Sequence, residues 1–111
     1  MSQCKYRHIM LKLSGEMLGG KQGYGIDGDA LLMIASEIAD AHKLGCKVSV
    51  VIGGGNIFRG SAAARWGIER ASADYMGMLA TIINGLALQA TLENKFNLHT
   101  RVMTSISMPS L

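Results

Sequence analysis

The chain has 111 residues, a length that suits a single domain with a hydrophobic core. Hydrophobic residues make up 49% of it and charged residues 17%, a composition that excludes an intrinsically disordered segment. The net charge of +3 is mild and suits phosphate-bearing ligands. Lysine and arginine form no cluster of the kind that follows a nucleic-acid backbone, so we expect no nucleic-acid partner.

The two cysteines indicate neither a metal site nor a disulfide scaffold. Cys4 and Cys46 have no CxxC spacing and no nearby histidines at ligand spacing, so we predict no metal site. Two thiols without an obvious partner suit a reducing compartment. The first eight residues contain no apolar segment typical of a secretory signal. We therefore expect a cytoplasmic protein.

One segment has nearly the length of a membrane span. Residues 75–92 carry no charge and reach the lower limit for a transmembrane helix. The segment nevertheless contains polar residues and glycine, among them Thr81, Asn84, Gly85, Gln89 and Thr91, and Asp74 and Glu93 flank it. A helix buried between protein layers explains such a segment better than a membrane span does, so we expect no membrane partner.

The predicted elements begin with a strand over residues 6–13, where apolar residues alternate, followed by a glycine-rich loop over residues 14–25. Asp27 is a plausible N-cap for the helix that follows. An apolar stripe runs along this helix, and Gly45, which tolerates a positive φ, ends it. Residues 47–52 are β-rich and mostly apolar, which is typical of a parallel strand, and they lead directly into three glycines.

The second part of the chain repeats this alternation. A short polar helix or loop is predicted around residues 61–66. The helix predicted over residues 71–94 is apolar on most of its circumference, so we expect it to be buried on more than one side. A last strand is predicted over residues 100–106. This order of elements predicts an α/β fold with a parallel sheet and helices against its faces. No helix is predicted after the last strand to cover it, as expected for half of such a fold.

Two generic phosphate motifs nearly match and are set aside. Residues 15–21 have Walker A spacing, but Gln22 occupies the position where the motif requires a Ser or Thr hydroxyl to bind Mg²⁺. Gly23, Gly25 and Gly28 satisfy GxGxxG, yet no strand directly precedes them, so a dinucleotide-dependent dehydrogenase is the weakest interpretation.

A more specific signal is the position of two glycine-containing loops, each directly after a predicted parallel strand. In open parallel sheets, ligands bind at the carboxyl ends of strands. Glycine lets backbone N–H groups approach phosphate oxygens, and Lys12 and Arg59 supply positive charge. These loops predict a site for a polyphosphate. The alternatives are a tight turn for the glycines and a solvated strand-end lysine for Lys12.

At these residues the chain resembles the bacterial UMP kinases, which have the amino-acid-kinase fold. The matching stretches, in order, are LKLSGE (11–16), GYGID (23–27), VVIGGGNIFRG (50–60), DYMGMLAT (74–81) and NGL (84–86). The resemblance implies a parallel three-layer αβα sheet. Residues 1–111 would be the N-terminal, nucleotide- and UMP-binding part of a single domain whose C-terminal half is absent.

The resemblance also implies a reaction, the transfer of the γ-phosphoryl group of ATP, with Mg²⁺, to UMP. The implied ATP contacts are Lys12, Ser14, Gly15, Gly55 and Arg59, of which Lys12 and Arg59 would be catalytic. The implied UMP contacts are Gly54 and Asp74. The loop implicated in allosteric activation by GTP matches Gly20, Lys21, Gln22, Gly23, Tyr24 and Gly25. Family members form hexamers as trimers of dimers, and the helix over residues 71–94 is the candidate dimer contact.

Two other functions stay open. One is a related kinase acting on an amino-acid carboxylate or on carbamate; Asp74 argues against it, because a carboxylate would repel an anionic acceptor unless it faces a sugar hydroxyl. The other is a non-catalytic nucleotide-binding or assembly module. If the chain is the whole polypeptide, we expect it to be nearly inactive.

Overall fold

The computed structural model describes residues 7–104, which form two strands and several helical segments. The strands are β1 (His8–Leu13) and β2 (Lys47–Ile52), and the α-helices are α1 (Gly28–Lys43), α2 (Gly60–Arg65) and α3 (Arg70–Phe96). A 3₁₀ segment, Gly15–Gln22, lies within the predicted loop after β1 and is kinked at Gly20, whose φ is +60°. The order of these elements follows the predicted alternation of strands and helices.

The sheet is parallel, as predicted. β1 pairs with β2 in a register that runs from His8 opposite Lys47 to Leu13 opposite Ile52. Because side chains alternate between the faces of a strand, Leu11 and Leu13 share the face that packs on the core. His8, Met10 and Lys12 lie on the other face and are exposed.

The core lies between this sheet and the two long helices. Its buried members are Leu18, Ile34, Ala35, Ile38, Leu88 and Leu92. Helices α1 and α3 contribute five of these six residues and pack against the same face of the sheet. Residues 7–104 therefore form two layers, and the third layer of the expected αβα arrangement is not found among them.

Helix α1 begins and ends as predicted. The Asp27 carboxylate accepts a hydrogen bond from the Ala30 N–H (2.9 Å), which satisfies one of the free donors of the first turn. After the C-cap residue, Gly45 has a φ of +93° and its N–H donates to His42 O. The Cys46 N–H donates a hydrogen bond to Ala41 O, which completes a Schellman motif.

Helix α3 is less buried than predicted. Its side chains Tyr75, Ile83 and Leu86 are each about half exposed, so the expectation of burial on more than one side is wrong for the described chain. By length and composition α3 could cross a membrane, and 22% of its most apolar window is buried. A single such helix is weak evidence for a span, because the core helices of soluble proteins have the same properties.

The predicted last strand is also wrong where it can be compared. Residues 100–104 form no strand, and residues 105 and 106 lie outside the described part. Side chains of α3 form hydrogen bonds with backbone groups that a neighbouring strand would otherwise bind. Gln89 Nε2 donates to Thr100 O (2.9 Å), and Glu93 accepts from the Thr100 N–H (3.3 Å). A cavity of about 730 Å³ lies among β2, α3 and this segment.

The expectation for the cysteines fails at Cys46. This residue is buried directly before β2 and is disulfide-bonded in the structure. It is therefore not the unpaired thiol that its isolated position in the sequence indicated.

Candidate functional site

The two glycine-containing loops leave the same edge of the sheet. Leu13 and Ile52, the last residues of β1 and β2, are partners in the register, so the chain continues from both strands side by side. The Gly53 N–H then donates to Leu13 O (3.1 Å). The structure thus brings Ser14 and Gly15 beside Gly53, as expected for the carboxyl ends of neighbouring parallel strands.

Close packing explains two of the glycines before any ligand is considered. A Cβ atom on Gly15 would lie 2.6 Å from Gly53 O and 2.7 Å from Asn56 Oδ1. A Cβ atom on Gly54 would lie 2.7 Å from Ala80 Cβ and 2.9 Å from the backbone nitrogen of Thr81. Gly15 therefore lets the two loops touch. Gly54 lets the second loop, which joins β2 to α2 over residues 53–59, touch α3.

A buried pair of asparagines fixes the second loop. The amides of Asn56 and Asn84, which are 4% and 0% exposed, donate to each other over 3.2 and 2.7 Å. Asn84 Nδ2 also donates to Gly53 O (2.7 Å), and Asn56 Nδ2 donates to Gly25 O (2.7 Å). The sequence analysis assigned no role to either residue, although both lie in the stretches GGGN and NGL that carry the resemblance.

Three of the expected ATP contacts converge on Glu16. Its backbone N–H donates to Ser14 Oγ (3.2 Å) at the start of the 3₁₀ segment. Its carboxylate forms an ion pair with Arg59 (2.5 Å), and Arg59 Nε donates to Gly55 O (3.2 Å). Ser14, Gly55 and Arg59 are therefore neighbours, and a carboxylate that the sequence analysis did not single out lies among them.

Lys12 is not joined to this cluster. It is exposed at the end of β1, on the face that α1 and α3 do not cover. No hydrogen bond or ion pair links its side chain to another residue in the 7–104 part. Its ammonium group is free to reach a ligand at this edge of the sheet, and equally free to remain solvated.

The two expected UMP contacts both lie where the second loop approaches α3, Gly54 next to Thr81 and Asp74 in a cavity with Phe58 and Gly60. Asp74 is exposed on α3 and lines a cavity of about 380 Å³ together with Phe58, Gly60 and Thr81. Gly54 packs against the backbone of Thr81. The structure thus brings Asp74 to the same loop as Gly54.

Residues 20–25, where the resemblance leads us to expect GTP activation, form an exposed turn. Gly20, Gly23 and Gly25 all have positive φ angles, of 60°, 81° and 67°. Gln22 Nε2 donates to Tyr24 O (2.6 Å), and the Tyr24 side chain is largely exposed. Lys21 is exposed as well. The turn is anchored to the second loop where the Gly25 N–H donates to Asn56 O (2.7 Å).

The generic motifs have the wrong surroundings, as predicted. The Walker A-like residues form a 3₁₀ segment that ends in a left-handed Gly23 and not in an α-helix. The GxGxxG match follows this segment and not a strand. Neither match therefore has the strand–loop–helix context that its chemistry requires.

The described residues suit a phosphate ligand better than a bare metal ion. Residues 7–104 contain no group of three His, Cys, Asp or Glu side chains that could hold a metal. They do place two exposed cations, Lys12 and Arg59, beside loops in which glycines allow a close approach. This arrangement can bind and neutralise an anion, and any magnesium would have to be bound largely through that anion's own oxygens.

Comparisons with known proteins identify the family of the chain and its fold. The model of the amino acid kinase family matches residues 8–110. The crystal structure of UMP kinase from Bacillus anthracis is 48% identical with a TM-score of 0.86, and the match covers 95% of this chain and 43% of that one. UMP kinase from Ureaplasma parvum is 42% identical with a TM-score of 0.83, over 92% of this chain and 44% of that one.

These matches confirm the resemblance to UMP kinases and the α/β fold class. The chain spans less than half the length of either relative. Because the family model covers nearly the whole sequence, the chain belongs to the amino acid kinase family.

Proposed function

We propose that this chain is the N-terminal, nucleotide-binding part of a single UMP kinase domain, whose reaction transfers the γ-phosphoryl group of ATP to UMP and gives UDP. The identity of 42–48% to two UMP kinases supports the substrate class. One structural observation carries the proposal. The loops after β1 and β2 meet at Gly15 and Gly53, so closely that a Cβ on Gly15 would lie 2.6 Å from Gly53 O.

The reaction suits the side chains that the site offers. The acceptor is a phosphate oxygen that is already ionised at neutral pH, so no Ser, His or Cys nucleophile with a base is required. Catalysis then depends on bringing two anions together and on neutralising charge at the transferring group. Lys12 and Arg59 are exposed cations beside the two loops and would do this.

Each ligand has a proposed set of contacts. ATP phosphates would contact the backbone N–H groups of the loops and the charged side chains, through Lys12, Ser14, Gly15, Gly55 and Arg59. UMP would contact Gly54 and Asp74, with the carboxylate accepting from ribose hydroxyls. This assignment is supported by the cavity that Asp74 lines with Phe58 and Thr81, since Gly54 packs against Thr81.

The wider features of the proposal follow the family resemblance. Mg²⁺ would accompany ATP, bound through its phosphates. GTP would act as an allosteric activator at the exposed turn of residues 20–25. The intact protein would be a cytoplasmic hexamer built as a trimer of dimers, and the half-exposed residues Tyr75, Ile83 and Leu86 of α3 would lie in the dimer contact.

Titration of the 111-residue chain with ATP and with UMP, by calorimetry and by NMR, tests the proposal. We expect both nucleotides to bind, and the amide signals of Gly15, Gly54 and Gly55 to move. If these three signals stay in place at millimolar nucleotide in a folded sample, the phosphate site is wrong.

One alternative has a specific observation in its favour. Since the chain spans only 43–44% of its relatives, it could act as a non-catalytic nucleotide-binding or assembly module. A pure assembly module would bind neither nucleotide. For an amino-acid or carbamate kinase, acetylglutamate or carbamate would bind in place of UMP, so the same titration with these acceptors and with CMP separates the possibilities.

A further inference from the structure

The Glu16 carboxylate lies where the proposed phosphate site has most of its contacts. It pairs with Arg59, and a Cβ on Gly55 would lie 3.6 Å from its Oε1 atom. The Glu16 backbone is held by Ser14 Oγ, which orients the first turn of the 3₁₀ segment. Ser14, Gly55 and Arg59 are all proposed ATP contacts, so the carboxylate and a bound phosphate would share the same neighbours.

A carboxylate at this position opposes the binding of any anion that approaches. Two negative groups within a few ångströms of each other repel, and here both need the same cation. Arg59 can pair closely with only one of them, as it does now with Glu16, whose Oε1 atom contacts Nη2 of the guanidinium. Its Nε is already used by Gly55 O, which leaves fewer donors for a second anion.

The ion pair between Arg59 and Glu16 can also be broken at little cost in free energy. The side chains of Arg59 and Glu16 are 55% and 57% exposed. Exposed ion pairs contribute little to stability and are screened by salt, so an incoming phosphate can replace the carboxylate. A buried pair would not permit this, because separating it would leave a charge without a partner or water.

We infer that Glu16 is an intramolecular competitor for Arg59: its carboxylate holds the guanidinium beside Gly55 in the nucleotide-free chain, and the phosphates of the nucleotide must displace it. This inference rests on the proposed phosphate site. It makes Glu16 a residue that sets how tightly and how selectively anions bind. Multiply charged polyphosphates displace the carboxylate readily, whereas anions of a single charge do so poorly.

Binding of inorganic triphosphate to the 111-residue chain, measured by calorimetry at low ionic strength without Mg²⁺, tests the inference. We expect the isosteric substitution Glu16→Gln to tighten binding about two- to fivefold, the range expected for an exposed ion pair. The gain should shrink as salt is added. The matched control is Glu37→Gln, which changes the net charge equally on the exposed side of α1 and should leave the affinity nearly unchanged.

A second pair of variants separates competition from simple repulsion. In an Arg59→Gln background, Glu16→Gln should tighten binding less than it does when Arg59 is present, because there is no guanidinium to release. Equal gains in both backgrounds would mean that Glu16 only repels phosphate, and the competition would be refuted. A loss of affinity in Glu16→Gln, with or without Mg²⁺, would also overturn it, since it would show that the carboxylate assists binding.

The test distinguishes this inference from the proposed function. If wild type and Glu16→Gln both fail to bind triphosphate while retaining the same thermal unfolding midpoint, the phosphate site itself is wrong and the inference fails with it. If wild type binds and Glu16→Gln binds no better, only the role of Glu16 is wrong.

Discussion

The side-chain amides of Asn56 and Asn84 form two reciprocal hydrogen bonds, of 3.2 and 2.7 Å, in the interior of the protein. Each amide also bonds to a backbone carbonyl of a different loop, Gly25 for Asn56 and Gly53 for Asn84. All the buried side-chain polar atoms described are satisfied. The pair therefore ties α3, the second glycine loop and the turn of residues 20–25 into one unit.

Replacing Asn84 should destabilise this unit. Asn84→Leu keeps a similar volume but removes the donor that serves Gly53 O and Asn56 Oδ1, while Asn56 Nδ2 keeps only its bond to Gly25 O. The loss should cost about 1–3 kcal/mol of unfolding free energy. Urea denaturation followed by circular dichroism measures it. Asn94→Leu, at an exposed position on the same helix, is the matched control and should change stability by less than about 0.5 kcal/mol. Equal losses in both variants would contradict the role of the pair.

Gly15 and Gly77 should respond in opposite directions to alanine. In Gly15→Ala the new methyl group would meet Gly53 O at 2.6 Å, and because that atom belongs to the backbone, the loops must separate. We expect a loss of about 1–3 kcal/mol. Nothing lies within 4 Å of a Cβ on Gly77, inside α3, so Gly77→Ala should stabilise by about 0.5–1 kcal/mol. Thermal unfolding of both variants checks the contrast, and a neutral Gly15→Ala would show that the two loops do not touch.

The sequence predicted the elements whose signals are local. Asp27 and Gly45 mark the ends of α1 because capping depends on a few neighbouring backbone groups. The meeting of the two glycine-containing loops was also predictable, since parallel strands that end in register must bring Ser14 and Gly53 together.

What the sequence did not predict depends on contacts between distant segments. The partnership of Asn56 and Asn84 joins residues 28 positions apart, and nothing in either local stretch indicates it. The strand expected at residues 100–106 had a suitable composition, but a strand requires a neighbour, and Gln89 and Glu93 bind the backbone of Thr100 instead. Likewise, the apolar surface of α3 does not specify what would cover Ile83.

The Asp27 cap can be tested by comparing three substitutions. Asp27→Ala removes the acceptor for the Ala30 N–H and should cost about 0.5–2 kcal/mol, whereas Asp27→Asn keeps an acceptor oxygen and should cost much less. Asp29→Ala, which removes a charge in the same first turn but no cap, should cost under about 1 kcal/mol. Chemical denaturation of the three variants provides the ranking. A loss in Asp27→Asn as large as in Asp27→Ala would mean that charge and not capping stabilises the helix.

Arg59 should matter more for phosphate binding than other exposed arginines. Arg59→Gln should weaken triphosphate binding about tenfold or more, because a charge-assisted hydrogen bond contributes about 1.5–3 kcal/mol. Arg65→Gln, at the end of α2, changes the net charge equally and should have a small effect. Calorimetry at constant ionic strength compares them. If both weaken binding alike, the attraction is a general effect of net charge and no specific site at Arg59 exists.

The chain assayed alone should produce UDP at a rate far below the 1–1,000 per second that is typical of enzymes. The proposed phosphate site relies on two exposed cations, Lys12 and Arg59, while the chain spans only 43–44% of the two UMP kinases that it resembles. Phosphoryl transfer requires charge neutralisation around both the donor and the acceptor, and two side chains on one edge of a sheet surround neither. Fusing the chain to the unmatched part of the Bacillus anthracis enzyme should restore turnover in a coupled UDP assay, and Arg59→Gln in that fusion should lower it. Turnover at a normal kinase rate by the unfused chain would show that the described loops suffice for catalysis.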